Sequence, residues 1–373
     1  MHRGVTPISH DVYHLHMLIF FICVIIGFGV FAVMFYSIYK HRKSKGHEAA
    51  QFHENTAVEF AWTIIPFLIL VGMAVPAAKT LVNMYDDSDP ALTIKVTGYQ
   101  WKWRYTYLDS GIDFFSNLST PAAEIENKAP KDKHYLLEVD HPVVVPVNKK
   151  IRFLITSNDV IHSWWVPYFG MKMDAIPGFV NEMWAKIDKP GTYRGQCAEL
   201  CGRGHAFMPI VVKAVSDSDY QAWVSAQEAQ MKKAASASDK DLGKTQLMAM
   251  GKKNYDQHCA ACHQANGAGV PGTFPPMVQG HAFNASPAMT KHLKEYGFLD
   301  ASNKIVMGPV KNHIHIVLNG VPGTAMPPWG PQLSDVDIAS IITYERNAWG
   351  NDTGDVVQPK QIKAARQIKE AKK

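Results

Sequence analysis

The chain has 373 residues, a formal net charge of +5 and five cysteines. That length is too great for one ordinary domain. The charge is mild and no helix clusters its basic residues, which argues against nucleic acid as a partner. Four cysteines form two tight pairs, Cys197 with Cys201 and Cys259 with Cys262, each with His, Glu or Met nearby. They read as ligands and attachment points, not disulfides.

The first stretch, 1–89, reads as a membrane anchor. Residues 17–39 carry no charge and are numerous enough to span a bilayer as a helix. Cys23 lies inside this run as inert packing. A second uncharged run, 61–78, is shorter and holds Pro66 and Pro76, which membrane helices tolerate. A signal peptide is the alternative for the first run, but the run is too long for one and no small-residue cleavage site follows. A hairpin of two helices is therefore expected. Lys40, Arg42, Lys43 and Lys45 lie between the runs and place that loop on the cytoplasmic side. In a bacterium both chain ends then face the periplasm. Glu59, just ahead of the second run, suits a helix N-terminus.

From 90 to 216 the pattern changes to short runs of β-branched and aromatic residues. Strands are expected at 92–99, 101–107, 135–139, 151–156, 182–187 and 210–215, punctuated by Gly, Pro, Asn and Asp. Many short strands without helical period imply a β-sandwich or barrel. Trp101 and Trp103 would share one face of the second strand.

Within this stretch, 197–208 carries Cys197, Glu199, Cys201, His205 and Met208. Soft sulfur with imidazole favours copper or zinc. Two cysteines so close can bridge two ions, and His162 upstream supplies a second imidazole. A structural zinc loop would not need the methionine. A mononuclear blue-copper site needs only one cysteine. Asp159, three residues before His162, either orients that ring or forms a turn.

Together His162, Cys197, Glu199, Cys201, His205 and Met208 resemble the binuclear copper site, CuA, of cytochrome c oxidase subunit II. The resemblance covers about 5–215 and implies a cupredoxin fold. It implies that Cys197 and Cys201 bridge the coppers, with His162 and Met208 on one and His205 and the Glu199 carbonyl on the other. It further implies that the Glu199 side chain faces subunit I and binds magnesium there, that electrons enter through Trp101, and that Glu59 stands at a proton pathway. Phe179 stands where the mitochondrial pattern has arginine.

Residues 217–242 read as a linker, with a short helix at 220–232 and a flexible Ala/Ser stretch after it. From 243 to 350 a third domain is expected. Cys259, Cys262 and His263 form C-x-x-C-H, the attachment signature of c-type haem. A helix at 245–258 precedes it, Met326 follows in a proline-rich loop at 323–329, and 334–349 reads as a helix opened by a Ser334/Asp337 capping box. That order resembles class I cytochromes c, an all-α fold. Met326 is the expected axial ligand, with Met277 and Met307 as rivals; a His/Met pair suits electron transfer. Zinc on adjacent Cys and His is a poor alternative. The tail, 351–373, is basic and expected to be frayed or held by partners.

The whole therefore resembles a fused subunit II of caa3-type cytochrome c oxidases. That implies a route from a soluble donor such as cytochrome c to haem c, to CuA, and on to haem a in subunit I, where oxygen is reduced. Subunits I and III would be partners in the bacterial plasma membrane. A copper subunit of a nitric oxide or nitrous oxide reductase and a non-catalytic copper-binding protein are the alternatives.

Overall fold

The structure is a computed structural model that describes residues 3–46, 48, 51, 53–284, 286–321, 324 and 326–370. The chain divides into two compact units, 1–225 and 226–373.

The first unit opens with two long apolar helices, α1 (Pro7–Lys40) and α2 (Thr56–Tyr85), which pack on each other. Both exceed the expected spans. Hydropathy marks only the lipid-like middle of such a helix, whereas its ends are set by caps. Thr6 and Ser9 form a capping box at the start of α1, with Pro7 in its first turn. Asn55 caps α2, whose interior keeps Pro66 and Pro76. The base of α1 is tied to the domain that follows: Val5 N donates to Tyr168 O at 2.9 Å and Thr6 Oγ1 to Phe169 O at 2.8 Å.

That domain is a β-sandwich. Its strands are β1 (Leu92–Tyr99), β2 (Lys102–Tyr107), β3 (Asp113–Ser116), β4 (Val143–Pro146), β5 (Lys150–Ser157), β6 (His162–Val166), β7 (Met171–Ala175), β8 (Asn181–Lys186), β9 (Gly191–Cys197) and β10 (Ile210–Val215). A short helix, α3 (Ala122–Ile125), lies in the crossover between β3 and β4. One sheet runs β3-β2-β1-β5-β8, the other β4-β10-β9-β6-β7. Alternation on β2 sends Trp103, Tyr105 and Tyr107 inward, fully buried with Ile94, Val96, Phe153 and Trp164. The expected strand at 135–139 is instead turns and a single bridge, Leu118 to Val139. Leu136 adopts a left-handed φ of 59° there, which breaks an extended run. Trp101 precedes β2. Tyr99 pairs with Lys102, so Gln100 and Trp101 are the two-residue loop of a hairpin, and Trp101 does not share a strand face with Trp103.

The division between the units falls inside α4 (Asp217–Ser238). The Ala/Ser stretch expected to be flexible continues this helix, because alanine has the highest helix propensity. The second unit holds α5 (Lys244–His258), α6 (Ala260–His263), α7 (Pro287–Glu295), α8 (Val310–Asn319), α9 (Asp335–Asn347) and α10 (Pro359–Glu370). Helices α5 and α9 cross closely at Gly251, and the Ser334/Asp337 capping box starts α9. The tail differs from expectation: α10 packs on α8 and α9, with Ile362 fully buried and Arg366 donating to Gly330 O and Leu333 O. Its apolar residues form one helical face, so the basic composition belongs to the other face.

Candidate functional site

The sulfur loop closes over one end of the sandwich. β9 ends at Cys197, β6 begins at His162, and a short 3₁₀ turn, His205–Phe207, returns the chain to Met208 ahead of β10. Two strands of one sheet thus fix two of the ligands, and a loop between strands supplies the rest.

Cys197 Sγ and Cys201 Sγ lie 3.8 Å apart. A disulfide needs about 2.05 Å, so both are free. Each sulfur has its own imidazole: His162 Nδ1 is 3.9 Å from Cys197 Sγ, and His205 Nδ1 is 3.5 Å from Cys201 Sγ. Met208 Sδ lies 3.6 Å from Cys201 Sγ, and the Glu199 carbonyl oxygen 3.4 Å from Cys197 Sγ. Cys197, Cys201, His162 and Met208 are buried, while the Glu199 side chain is exposed. Among the described residues, His162, Cys197 and Cys201 are the one cluster with metal-ligand spacing.

The donor set suits a metal. Asp159 Oδ1 lies 2.8 Å from His162 Nε2. A carboxylate accepts, so Nε2 carries a proton and Nδ1 faces the sulfurs. Burial opposes a charge on the ring, but Asp159 and Cys197 raise its pKa to about 9. Metal-binding histidines are commonly held by such a carboxylate. Burial opposes ionisation of Cys197, but contacts with His162 and with the backbone at Glu199 and Ser163 bring its thiol down to about 7. Burial and the neighbouring Cys197 charge push Cys201 up to about 12. Cys197 is thus the more readily ionised of the two, and a bound cation would favour loss of the proton from Cys201.

Long-range contacts hold this loop, and Gln100, Gly98 and Gly204 among them were not singled out by the sequence. Gln100 Nε2 and Trp101 Nε1 both donate to Cys201 O, at 2.9 and 3.0 Å. Trp103 Nε1 donates to Met208 O at 3.1 Å, and its ring meets the His162 ring edge-on at 5.9 Å. Gly98 and Gly204 leave room: a Cβ on Gly98 would lie 2.7 Å from His162 Cδ2, and one on Gly204 2.3 Å from the Trp101 ring. Trp101 is half-buried against the ligand loop. Glu59 lies in the first turn of α2, exposed, with Oε1 accepting from Asn55 N at 3.3 Å. That is the bond of a helix-start carboxylate. Phe179 is exposed.

In the second unit, Cys259, Cys262 and His263 line a cavity with an empty volume of about 1270 Å³, including the part that opens to solvent. Its walls are largely apolar with a few polar groups, the character of a cofactor site. His263 Nδ1 lies 2.9 Å from Pro275 O. A carbonyl only accepts, so Nδ1 carries the proton and Nε2 is left bare. Burial raises both thiols, Cys259 strongly with help from Glu345. They are therefore not a ready-made thiolate pair for zinc. Met326, Met277 and Met307 all line the cavity. Gly323 and Ala325, in the expected methionine loop, lie outside the described residues.

Fold and cavity define a membrane protein with two N-terminal apolar helices, a cupredoxin-like β-sandwich and a helical cytochrome c domain. The family model for the periplasmic domain of cytochrome c oxidase subunit II matches residues 92–215, and that for its transmembrane domain matches 1–80. The model for the cbb3-type cytochrome c oxidase subunit III matches 246–344. A probable cytochrome c oxidase subunit 2 of Rickettsia bellii is 41% identical over 223 residues, 60% of this chain and 81% of that protein. One of Rickettsia felis is 40% identical over 223 residues, 60% of this chain and 69% of its own. The crystal structure of the periplasmic domain of subunit II of cytochrome oxidase from Bradyrhizobium japonicum is 45% identical. It covers 38% of this chain and 96% of that chain, with a TM-score of 0.34.

The chain belongs to the cytochrome c oxidase subunit II family and carries a cytochrome c domain at its C-terminal end. It is a subunit of that oxidase, and its two families imply copper binding, haem binding and association with the other oxidase subunits.

Proposed function

We propose that this chain is the electron-entry subunit of the oxidase. Cys197 and Cys201 bridge a binuclear CuA centre completed by His162, His205, Met208 and the Glu199 carbonyl. Cys259 and Cys262 bind haem c covalently, His263 and Met326 ligate its iron, and electrons run from a soluble donor such as cytochrome c through haem c and CuA to haem a of subunit I. The copper pair, when bound, supplies one-electron storage shared over two ions.

The residues of this chain supply the rest. The sulfur pair holds the negative charge. Asp159 orients His162, and Gln100 and Trp101 pin the carbonyl of Cys201. Because the loop is anchored to two sheets, its ligands can keep their places when an electron arrives. Trp101, packed on the ligand loop, is the entry residue. The exposed Glu199 carboxylate is available to a magnesium ion at the contact with subunit I. The basic loop after α1 sits in the cytoplasm of a bacterium, the sandwich and cytochrome domains face the periplasm, and Glu59 collects protons on the cytoplasmic side. The copper domain runs from 90 to 216 and the haem domain from 243 to 350.

The observation that carries this reading is the sulfur pair, 3.8 Å apart and unbonded, with a separate imidazole at each sulfur. The test is electron paramagnetic resonance of the full chain, loaded with copper in detergent. One unpaired electron shared by two equivalent coppers is expected. A single-copper spectrum, or zinc bound in preference to copper, would overturn the reading.

A further inference from the structure

His313 on α8 and Glu345 on α9 meet inside the cavity of the second unit. His313 Nε2 lies 2.8 Å from Glu345 Oε2, and both side chains are 4% exposed. Both line the same walls as Cys259, Cys262, His263 and Met326. Beyond this contact, His313 Nδ1 is buried, and among the described residues nothing hydrogen-bonds to it. Phe298 packs edge-on against the ring at 5.4 Å.

The pair is costly. A buried carboxylate and imidazole lose hydration, and apolar residues of similar volume commonly serve a fold as well or better. Packing alone therefore does not account for it. Among the described residues, Glu345 has no ion-pair partner other than His313. The surrounding charges are spoken for. Arg346 is bonded to Asp355 and to Gly308 O, Arg366 of α10 to Asp335, and His292 on the cavity wall lies 3.7 Å from Glu295. His258 on α5, Cys262, His263 and Tyr296 line the same cavity, and Tyr255 on α5 and Cys259 feel the Glu345 charge, which opposes their ionisation. The counter-charge open to the Glu345 carboxylate is thus a proton on His313. With Nε2 turned to Glu345, the unpartnered Nδ1 is where that imidazole gains or lacks its second proton.

We propose that His313 and Glu345 form a proton site coupled to the charge of the cavity's haem, and that they set its reduction potential. This rests on the haem c reading above. The pair takes one proton from solvent as the haem gains one electron from its donor, so the charge of the cavity is unchanged. On oxidation the proton leaves again. Inside a low-dielectric cavity, charges on the wall and charges held within it interact more strongly than in water, which would link the two events. His313 and Glu345 act here as positioning residues for charge, not as ligands.

The experiment is a redox titration of the full chain at several pH values. Covalent haem is first checked by haem staining on a denaturing gel; its absence would sink the haem c reading and this proposal with it, whereas a pH-independent potential with haem present would sink this proposal alone. With haem present, the midpoint potential should fall as pH rises. The limit is about 59 mV per pH unit for one proton per electron, a tenfold change in proton activity. Glu345→Gln keeps a partner for His313 and should flatten the slope. The double variant His313→Leu/Glu345→Leu, which replaces the pair by apolar residues, should flatten it even if Glu345→Gln holds haem poorly. A flat wild-type profile, or an unchanged slope in the variants that would instead point to the carboxylates of the haem, overturns the proposal.

Discussion

The Asp159 carboxylate accepts from His162 Nε2 at 2.8 Å, Gln100 N at 2.8 Å and Val160 N at 2.7 Å. It is therefore both the turn former and the carboxylate behind a ligand, two readings that the sequence left open. Removing such a carboxylate commonly costs 10- to 100-fold in metal affinity. Asp159→Ala should lower copper affinity by about that factor, measured by competition with a chelator; unchanged affinity would mean that His162 is oriented by the strand alone. Gly204 was not legible at all. Its φ of −95° suits any residue, so nothing local marks it. Glycine is required because the Trp101 ring, far away in sequence, lies where its Cβ would be. Gly204→Ala should displace Trp101, weaken its bond to Cys201 O and slow reduction of the copper centre by the haem domain, read by stopped-flow. Unaltered kinetics would remove Trp101 from the entry route. Most of the candidate ligands stand out in the sequence because Cys197, Cys201, His205 and Met208 are rare residue types close together, whereas the contacts that hold them are long-range.

At the scale of elements, legibility followed composition. β1 and β10 are rich in β-branched residues, and both were expected over the ranges observed. β6, His-Ser-Trp-Trp-Val, and β7, Met-Lys-Met-Asp-Ala, carry no alternating signal, because β6 is buried at four of its five positions and β7 mixes charge with methionine. The helix pair α5 and α9 carries a prediction. A Cβ on Gly251 would lie 2.1 Å from Ser340 O, which is backbone and cannot move aside. Gly251→Ala should separate the helices and cost about 1–3 kcal/mol, the usual range for overpacking. The measurement is the denaturant midpoint of the second unit, followed through haem absorbance; an unchanged midpoint would mean that the helix crossing adjusts freely.

Among the described residues, the main cores of the two units share no residue. One centres on the sandwich, with Ile94, Phe153 and Trp164; the other on Leu247, Ile338 and Ile362. Separate cores unfold as separate cooperative units, so a single midpoint would not describe this chain. A ligand that binds only the folded form of one unit stabilises that unit, by about 2.7 kcal/mol at a hundredfold excess over its Kd. All the proposed copper donors lie in the first unit and all the proposed haem donors in the second. Copper removal by a chelator should therefore lower the transition assigned to the sandwich, seen in tryptophan fluorescence, and leave the transition seen in haem absorbance where it was. If both moved together, the two cores would have to unfold as one, and the copper would be stabilising more of the chain than the unit that holds its donors.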